Sequence, residues 1–272
     1  MKKKDRTWLQ TLVALLIIAL HITPFYIMVN MSLKELSDRS SRWMPALHPY
    51  FQNYPNALEH GNLLSAMWNT WIIALLSVII IVVAGAMAAY PLARKASRRN
   101  RIILTLIVGV MMVPQLSILV PLYKEMVALK GINHLWGIVI VSATFHLPMA
   151  IYMYSNFIRS IPKDLDEAAM IDGCSMMQSF FYVILPCLKS TTVSVIILNG
   201  VGIWNDYQFQ LYFLQKPAMR TITLAITTFF TDSKQDLGAA AAAAFIVVLP
   251  PVLAYIFLQK YFVKGAMDSA VK

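Results

Sequence analysis

The sequence is poor in charged residues. Of its 272 residues only 13% are charged, whereas 58% are hydrophobic, and the mean hydropathy is +0.63. A soluble domain usually has about a quarter of its residues charged, so this composition argues against a soluble globular protein. It also excludes a disordered chain, because disorder requires low hydrophobicity.

Residues that bind metals and phosphates are also scarce. Two cysteines are too few for a disulfide framework or a four-cysteine zinc site. No two of the five histidines have metal-ligand spacing on one helix, so we predict no metal site. The chain has no G-x4-G-K-[ST] phosphate loop. We therefore expect this chain itself to bind no cofactor.

Long apolar stretches dominate what remains. A bilayer core about 30 Å thick is crossed by roughly 20 apolar residues in a helix. Stretches of about this length predict spans at residues 7–33, 61–93, 102–123, 131–157, 190–215 and 237–259. The fifth stretch is interrupted only by Asp206. An even number of spans places both termini on the same side.

The basic residues indicate which side that is. With the N-terminus in the cytoplasm, the inner segments hold 15 of the 23 Lys and Arg residues, including the RKASRRNR cluster. This bias matches the excess of positive charge in cytoplasmic loops. The fold class is therefore all-α, a polytopic membrane protein with six transmembrane helices and cytoplasmic termini. The net charge of +10 needs no nucleic acid to explain it.

The predicted cytoplasmic segment 159–189 is too charged to span the membrane. Asp164 and Asp166 suit a helix start, Gly173 suits a stop in the left-handed conformation, and Ser175 can cap a second helix. The segment therefore predicts a helix, a glycine turn and a second helix, after which Pro186 begins the ascent into the fifth span.

The composition of this segment predicts a protein partner. Alanines leave a smooth surface, methionines and phenylalanines supply apolar contacts, and acidic residues can pair with Arg or Lys. The alternative is an amphipathic helix lying on membrane lipid, but such helices usually have a basic polar face and this one is acidic. The contact residues predicted here are Glu167, Ala168, Ala169, Asp172, Met176, Met177, Phe180 and Phe181.

The same segment carries a family motif. Permeases of binding-protein-dependent ABC importers have a cytoplasmic loop EAA-x3-G-x9-I-x-L-P. Residues Glu167–Ala169, Gly173, Leu185 and Pro186 match it, and Val183 replaces the isoleucine. Other segments resemble the maltose-type carbohydrate branch, namely FQNYPNAL, VPQLSILVPLY, WNDYQFQLYFL and QKYFVKGAMDSAVK. The span count is similar to that of the smaller of its two permeases.

The resemblance implies a type I ABC importer permease fold forming a single domain over residues 1–272. Residues 1–62 would form the first helix and outer loop. Residues 63–262 would form the permease core, with a cytoplasmic coupling loop at 159–189 that docks on an ATPase. The coupling residues implied are Glu167, Ala168, Ala169, Asp172, Gly173, Val183, Leu185 and Pro186.

The resemblance also implies an assembly in the bacterial inner membrane. Its other members would be a second homologous permease, two ATPase subunits (identical or different) and an extracytoplasmic sugar-binding protein. ATP and Mg would bind the ATPases, so this chain would not be an enzyme. The implied cargo is a carbohydrate, with an oligosaccharide favoured over a monosaccharide.

The sugar path is predicted from polar and aromatic residues within spans. A charge within a span is a functional candidate, although Asp206 can instead lie in the outer interface, and the aromatics can form an interfacial belt. The candidates are Gln115, Asn199, Trp204, Asn205, Asp206 and Tyr207.

Three alternatives stay open at this point. The same architecture can import a non-sugar solute such as an amino acid or a polyamine, because the coupling loop is common to those branches. An intramembrane enzyme is disfavoured, since the chain lacks the nucleophile and base, the paired acids or the H-E-x-x-H helix that such enzymes need. A self-contained channel leaves the coupling loop unexplained.

Overall fold

A computed structural model describes residues 2–231 and 236–270, and these residues form helices and connecting turns without a β-strand. The chain divides into two compact units, one of residues 1–65 and 224–250, the other of residues 66–223 and 251–272.

The first unit contains a long helix and a folded loop. Helix α1 (Lys2–Ser32) is followed by helix α2 (Asn53–His60). Buried Asn53 joins the two, because its amide nitrogen donates to the carbonyls of Ser32 and Lys34 at 2.9 and 2.8 Å. The apolar stretch of α1 from Trp8 to Ser32 is otherwise almost uncovered within the chain, as expected of a helix that faces lipid or another subunit.

The second unit is built on long helices joined by short ones. Its helices are α3 (Leu63–Arg94), α4 (Arg98–Val110), α5 (Leu119–Ala128), α6 (Leu135–Ser160), α7 (Asp164–Ile171), α8 (Met176–Ser179), α9 (Leu185–Cys187), α10 (Lys189–Trp204) and α11 (Gln208–Phe213). Helix α12 (Ile222–Thr231) belongs mainly to the first unit, and α13 (Leu237–Ala270) is divided between the two units at Pro250.

Small residues allow α3 and α6 to pack closely. A Cβ placed on Gly85 would lie 3.1 Å from the Cβ of Ala150, and Ala89 is fully buried. Tyr154 of α6 is also fully buried, and its hydroxyl donates to Thr192 of α10 at 3.1 Å. Small residues at such positions let helix backbones approach in a membrane, as the G-x-x-x-A pattern of the second span indicates.

The described residues contain four helices that are long and apolar enough to cross a membrane. Two further pairs of helices qualify together but are bent, by 93° between Val110 and Gln115 and by 74° at Leu188. The predicted count of six is reached when each bent pair is one span. Pro114 lies in the first bend, in keeping with the missing backbone donor of proline.

The predicted end of the fifth span is wrong. Helix α10 stops at Trp204 rather than continuing to Gln215, and the short α11 begins at Gln208. Asp206 lies in the turn between the two helices, with its carboxylate close to the backbone N–H groups at the start of α11. An acidic side chain near the N–H groups of a first turn favours a new helix start over continuation.

Candidate functional site

The coupling loop begins with the short helix α7 and a glycine turn. Gly173 has φ of +85°. The N–H of Gly173 donates to the carbonyl of Met170 at 3.1 Å, and the N–H of Cys174 donates to the carbonyl of Ala169 at 2.9 Å. These two bonds form a Schellman motif, in which a left-handed residue ends the helix. The predicted glycine stop is therefore present.

The second helix starts with a capping box. The hydroxyl of Ser175 accepts from the N–H of Gln178, and the side chain of Gln178 accepts from the N–H of Ser175. After α8 the chain forms a π-helical turn from Phe180 to Ile184. Such turns occur frequently at functional sites. The return passes through Pro186 and bends by 74° at Leu188, two residues later.

One face of the loop is open and apolar. Ile171 is 86% exposed, and Met170 and Met177 are about half exposed. The other exposed residues of this outward face are Glu167, Ala168, Asp172, Gly173 and Met176. The face combines apolar contact area with two carboxylates, which suits a partner that offers an apolar groove and basic side chains.

Four of the predicted loop residues do not lie on the open face. Ala169 is 6% exposed, and Phe180, predicted as a contact residue, is 2% exposed and packs inward on the ring of Tyr90. Val183 and Leu185 are half-buried, whereas Pro186 is exposed. Phe180 is therefore wrong as a contact residue of the open face, because its ring fills the space between the loop and α3.

A buried ion pair fixes the inner side of α7. Asp166 Oδ2 lies 2.7 Å from Arg94 Nη2 at the end of α3, and both side chains are at most 10% exposed. This contact lacks hydrogen-bond alignment and acts as an ion pair. The hydroxyl of Tyr90, one turn earlier on α3, donates to Asp166 Oδ1 at 2.5 Å. We call Tyr90, Arg94 and Asp166 the polar clamp.

The clamp also reaches the end of α6 and the return helix. Arg94 Nη1 donates to the carbonyls of Ile158 and Ile161 at 3.0 and 2.8 Å. The hydroxyl of Ser179 lies 3.5 Å from Asp166 Oδ1, the outer limit for a hydrogen bond. Four segments of the second unit therefore meet at one carboxylate and one guanidinium.

The clamp is not among the sites predicted from the sequence. The sequence predicts Arg94 only as a cytoplasmic positive charge and Asp166 only as a helix-start residue. A positive charge in a cytoplasmic loop and an acid at a helix start can both be exposed, so neither role indicates that the residue is buried. A sequence signal does exist in retrospect, because Tyr90 and Arg94 are four residues apart and hence on one helix face.

Gln115 lies beside a cavity of about 490 Å³. The walls come from the bend between α4 and α5 and from α6, and they include Val113, Leu122, Phe145 and Pro148. Glu125, which is not among the predicted path residues, also lines this space. A mainly apolar cavity with a few polar groups is typical of small-molecule sites.

The other predicted path residues serve mainly as structure at the outer end of α10. Asn199 is 2% exposed and its amide nitrogen donates to Val195 of its own helix at 2.7 Å. Trp204 is 4% exposed and meets Trp71 edge to face, with ring centroids 5.3 Å apart. Asn205 is exposed and donates to the carbonyl of Val201.

Asp206 and Tyr207 occupy the turn that follows. Asp206 is half-buried and precedes α11, whereas Tyr207 is 39% exposed. Gln210, which is fully buried and was not predicted, accepts from the hydroxyls of Thr221 and Thr223. Thr223 also lies 2.8 Å from the carbonyl of Asp206. This network folds the chain back after α11.

No ligand set for a metal is formed by the side chains that the structure describes, where three or more His, Cys, Asp or Glu residues nowhere come together.

The comparisons agree with the arrangement of helices and loop. The chain is 39% identical over 263 residues to the melibiose/raffinose/stachyose import permease MelC of Bacillus subtilis, covering 96% of this chain and 95% of the relative. It is 32% identical over 268 residues to AmyC of Thermoanaerobacterium thermosulfurigenes, a probable starch degradation products permease, covering 97% of each chain.

A solved structure shares the fold. A chain of a bacterial ABC transporter involved in the import of the acidic polysaccharide alginate superposes with a TM-score of 0.80 at 20% identity, covering 96% of this chain and 98% of that chain. The model of the family described as binding-protein-dependent transport system inner membrane component matches residues 81–267. This protein is therefore a multi-pass permease of that family, and a transporter component rather than a catalytic enzyme.

Proposed function

We propose that this chain is one of two permease subunits of an ATP-driven importer for a carbohydrate, most simply an oligosaccharide. Support for the cargo comes from the relatives, because MelC, AmyC and a multiple sugar-binding permease of Streptococcus mutans are named for sugars. An amino acid or polyamine importer of the same architecture is the competing reading.

The observation that carries the proposal is the two-sided coupling loop. Its inner side is buried against α3 through Asp166, and its outer side exposes Ile171, Met170 and two carboxylates. An exposed apolar patch on an otherwise anchored loop marks a protein interaction site. We assign this face to docking on an ATPase. Each of the two permeases would place its coupling loop on one of the two ATPase subunits.

ATP and Mg would bind to the ATPases. This chain would convert movement of the ATPases into a change in the side of the membrane to which the substrate site opens. In alternating access the substrate site opens first to one side of the membrane and then to the other. Each ligand shifts the balance only by its different affinity for the two states. ATP on the ATPases and the loaded binding protein outside must therefore both favour the outward-open state, and hydrolysis restores the inward-open state.

The substrate contacts proposed on this chain lie at the cavity that Gln115 and Glu125 line. Phe145 offers an aromatic face there, and Gln115 and Thr144 offer polar groups suited to sugar hydroxyls. Asn199 and Trp204 carry less weight as path residues, since both are buried within the fold.

The test begins with a tagged copy expressed in its own host and extracted in mild detergent. Co-purification of a second permease and a P-loop ATPase is expected, and recovery of this chain alone would contradict the assembly. Titration of the co-encoded binding protein with raffinose, maltotriose, glutamine and spermidine then tests the cargo. Sugar binding is expected, and glutamine or spermidine binding would transfer the proposal to the non-sugar alternative.

A further inference from the structure

The polar clamp connects the coupling loop to α3, a spanning helix that lies outside the loop. The helix α7 presents Met170 and Ile171 outward and Asp166 inward. Because Asp166 is bound by Arg94 and Tyr90, both on α3, any force applied to the outward face is transmitted to α3 through these side chains.

We propose that Tyr90, Arg94 and Asp166 are positioning residues that make α7 and the end of α3 move as one body during transport. This inference rests on the proposed function, since it concerns how the partner's movement enters the membrane helices.

Burial is the physical reason for the rigidity. Separating a buried carboxylate from its guanidinium leaves two charges in a medium that solvates them poorly, which is strongly unfavourable. Arg94 additionally holds the carbonyls of Ile158 and Ile161 at the end of α6. Moving α7 away from α3 would therefore break an ion pair and a charged hydrogen bond together, whereas moving both helices together breaks neither.

The neighbouring contacts give the coupling a direction. Phe180 on the return helix packs on the ring of Tyr90 with centroids 5.2 Å apart, and Ser179 approaches the same carboxylate. Both arms of the coupling loop thus contact the clamp. From Phe180 onward the chain reaches α10 through the π-turn and the 74° bend at Leu188, which are less regular than the helix α3. We assign the direct mechanical route to α3.

The test uses the purified complex in proteoliposomes with the binding protein and its sugar. Two substitutions remove one element each, namely Asp166→Asn, which removes the charge, and Tyr90→Phe, which removes one hydrogen bond and keeps the ring. Tyr154→Phe is the matched control, because Tyr154 is also buried and loses one hydrogen bond, to Thr192, away from the loop. Asp166→Glu serves as the charge-retaining rescue.

The readout is the amount of sugar imported per ATP hydrolysed. In Asp166→Asn we expect this ratio to fall about tenfold, within the range typical of coupling between two sites, with the ATPases still bound. Tyr90→Phe should show a smaller fall, Asp166→Glu should recover part of the ratio, and Tyr154→Phe should leave it unchanged.

The outcomes separate the two proposals. An unchanged ratio in Asp166→Asn would overturn the clamp, and so would an equal fall in Tyr154→Phe. A lower yield or lower melting temperature of the complex with an unchanged ratio would make the clamp merely structural, which also overturns it. Failure of the wild-type complex to import any sugar with ATP would instead overturn the proposed function.

Discussion

The segments that precede and follow α10 are held by different chemistry. At the inner end, residues 164–188, a charged clamp anchors one side of the coupling loop and the other side is exposed. At the outer end, residues 205–223, neutral amides and hydroxyls are buried around Gln210. The clamp therefore lies beneath an exposed face of the coupling loop, whereas the network around Gln210 is itself buried.

This difference separates two kinds of effect. A substitution on the exposed side of the inner end alters contact with another subunit and leaves the helices packed. A substitution in the buried network of the outer end leaves a polar group without its partner, which lowers stability. Coupling defects should therefore concentrate at the inner end, and stability defects at the outer end.

The largest effect on transport is expected from Gly173→Val. Its φ of +85° is strained for any side chain and most for a β-branched one, although no atom would lie within 4 Å of the new Cβ. The left-handed conformation costs an L-residue about 1–2 kcal/mol, so the turn is expected to reshape and the open face to be lost. Uptake should be abolished, because the ATPase becomes uncoupled or detached.

Gly173→Asn is the matched control, since asparagine tolerates the left-handed region. It should retain most of the uptake measured with labelled sugar in cells. Normal uptake by the valine variant would show that the turn is dispensable, and an equal loss in both variants would point to the missing glycine rather than to its conformation.

At the outer end, Gln210→Leu should lower stability and spare coupling. The hydroxyl of Thr221 is fully buried and loses its acceptor, at a cost of about 1–3 kcal/mol. The expected result is a lower melting temperature in detergent with an unchanged ratio of uptake to ATP hydrolysis. The same change at exposed Gln208 in the same helix is the control, and it should leave the melting temperature unaltered.

A smaller effect is expected from Ser175→Ala at the inner end. This variant removes the side chain that caps α8, and loss of such a cap typically costs about 1 kcal/mol. Uptake should fall modestly, well short of the loss in Gly173→Val, and Ser175→Asp should restore it by capping the same N–H. A defect as severe as that of Gly173→Val would place Ser175 in direct partner contact instead.

The smallest effect is expected from Val183→Ile, which restores the usual residue of the family motif. Val183 is half-buried in the π-turn, so one added methyl group can be accommodated near the surface. We expect a stability change within about 0.5 kcal/mol, as for most substitutions outside the core, and unchanged uptake. A clear loss of either would show that the π-turn is packed more tightly than its exposure indicates.

Local signals in the sequence were sufficient for the coupling loop. Gly173 and Ser175 act within four residues of themselves, so their turn and cap could be predicted from spacing alone. Apolar stretches likewise gave the spanning helices, because their length is set by the bilayer rather than by other parts of the chain.

Long-range contacts and interrupted helices were not predictable in the same way. Arg94 and Asp166 are 72 positions apart, and the spacing that places Tyr90 and Arg94 on one helix face does not indicate which residue they bind. The end of α10 at Trp204 was missed because the residues beyond it carry only one charge, at Asp206, so the stretch is not interrupted by a charged run. The roles of the path residues stay predictions.

The most direct measurement is crosslinking from the open face of the coupling loop with a bifunctional reagent, rather than through a disulfide bond. Cys174 and Cys187 are first replaced by serine, and Ile171→Cys then carries a short bifunctional reagent in the purified complex. Leu47→Cys, equally exposed and assigned to the outer side, is the control. We expect a crosslink from residue 171 to a P-loop ATPase and none from residue 47. Absence of any crosslink from residue 171 to an ATPase in an intact complex would contradict the docking of this face.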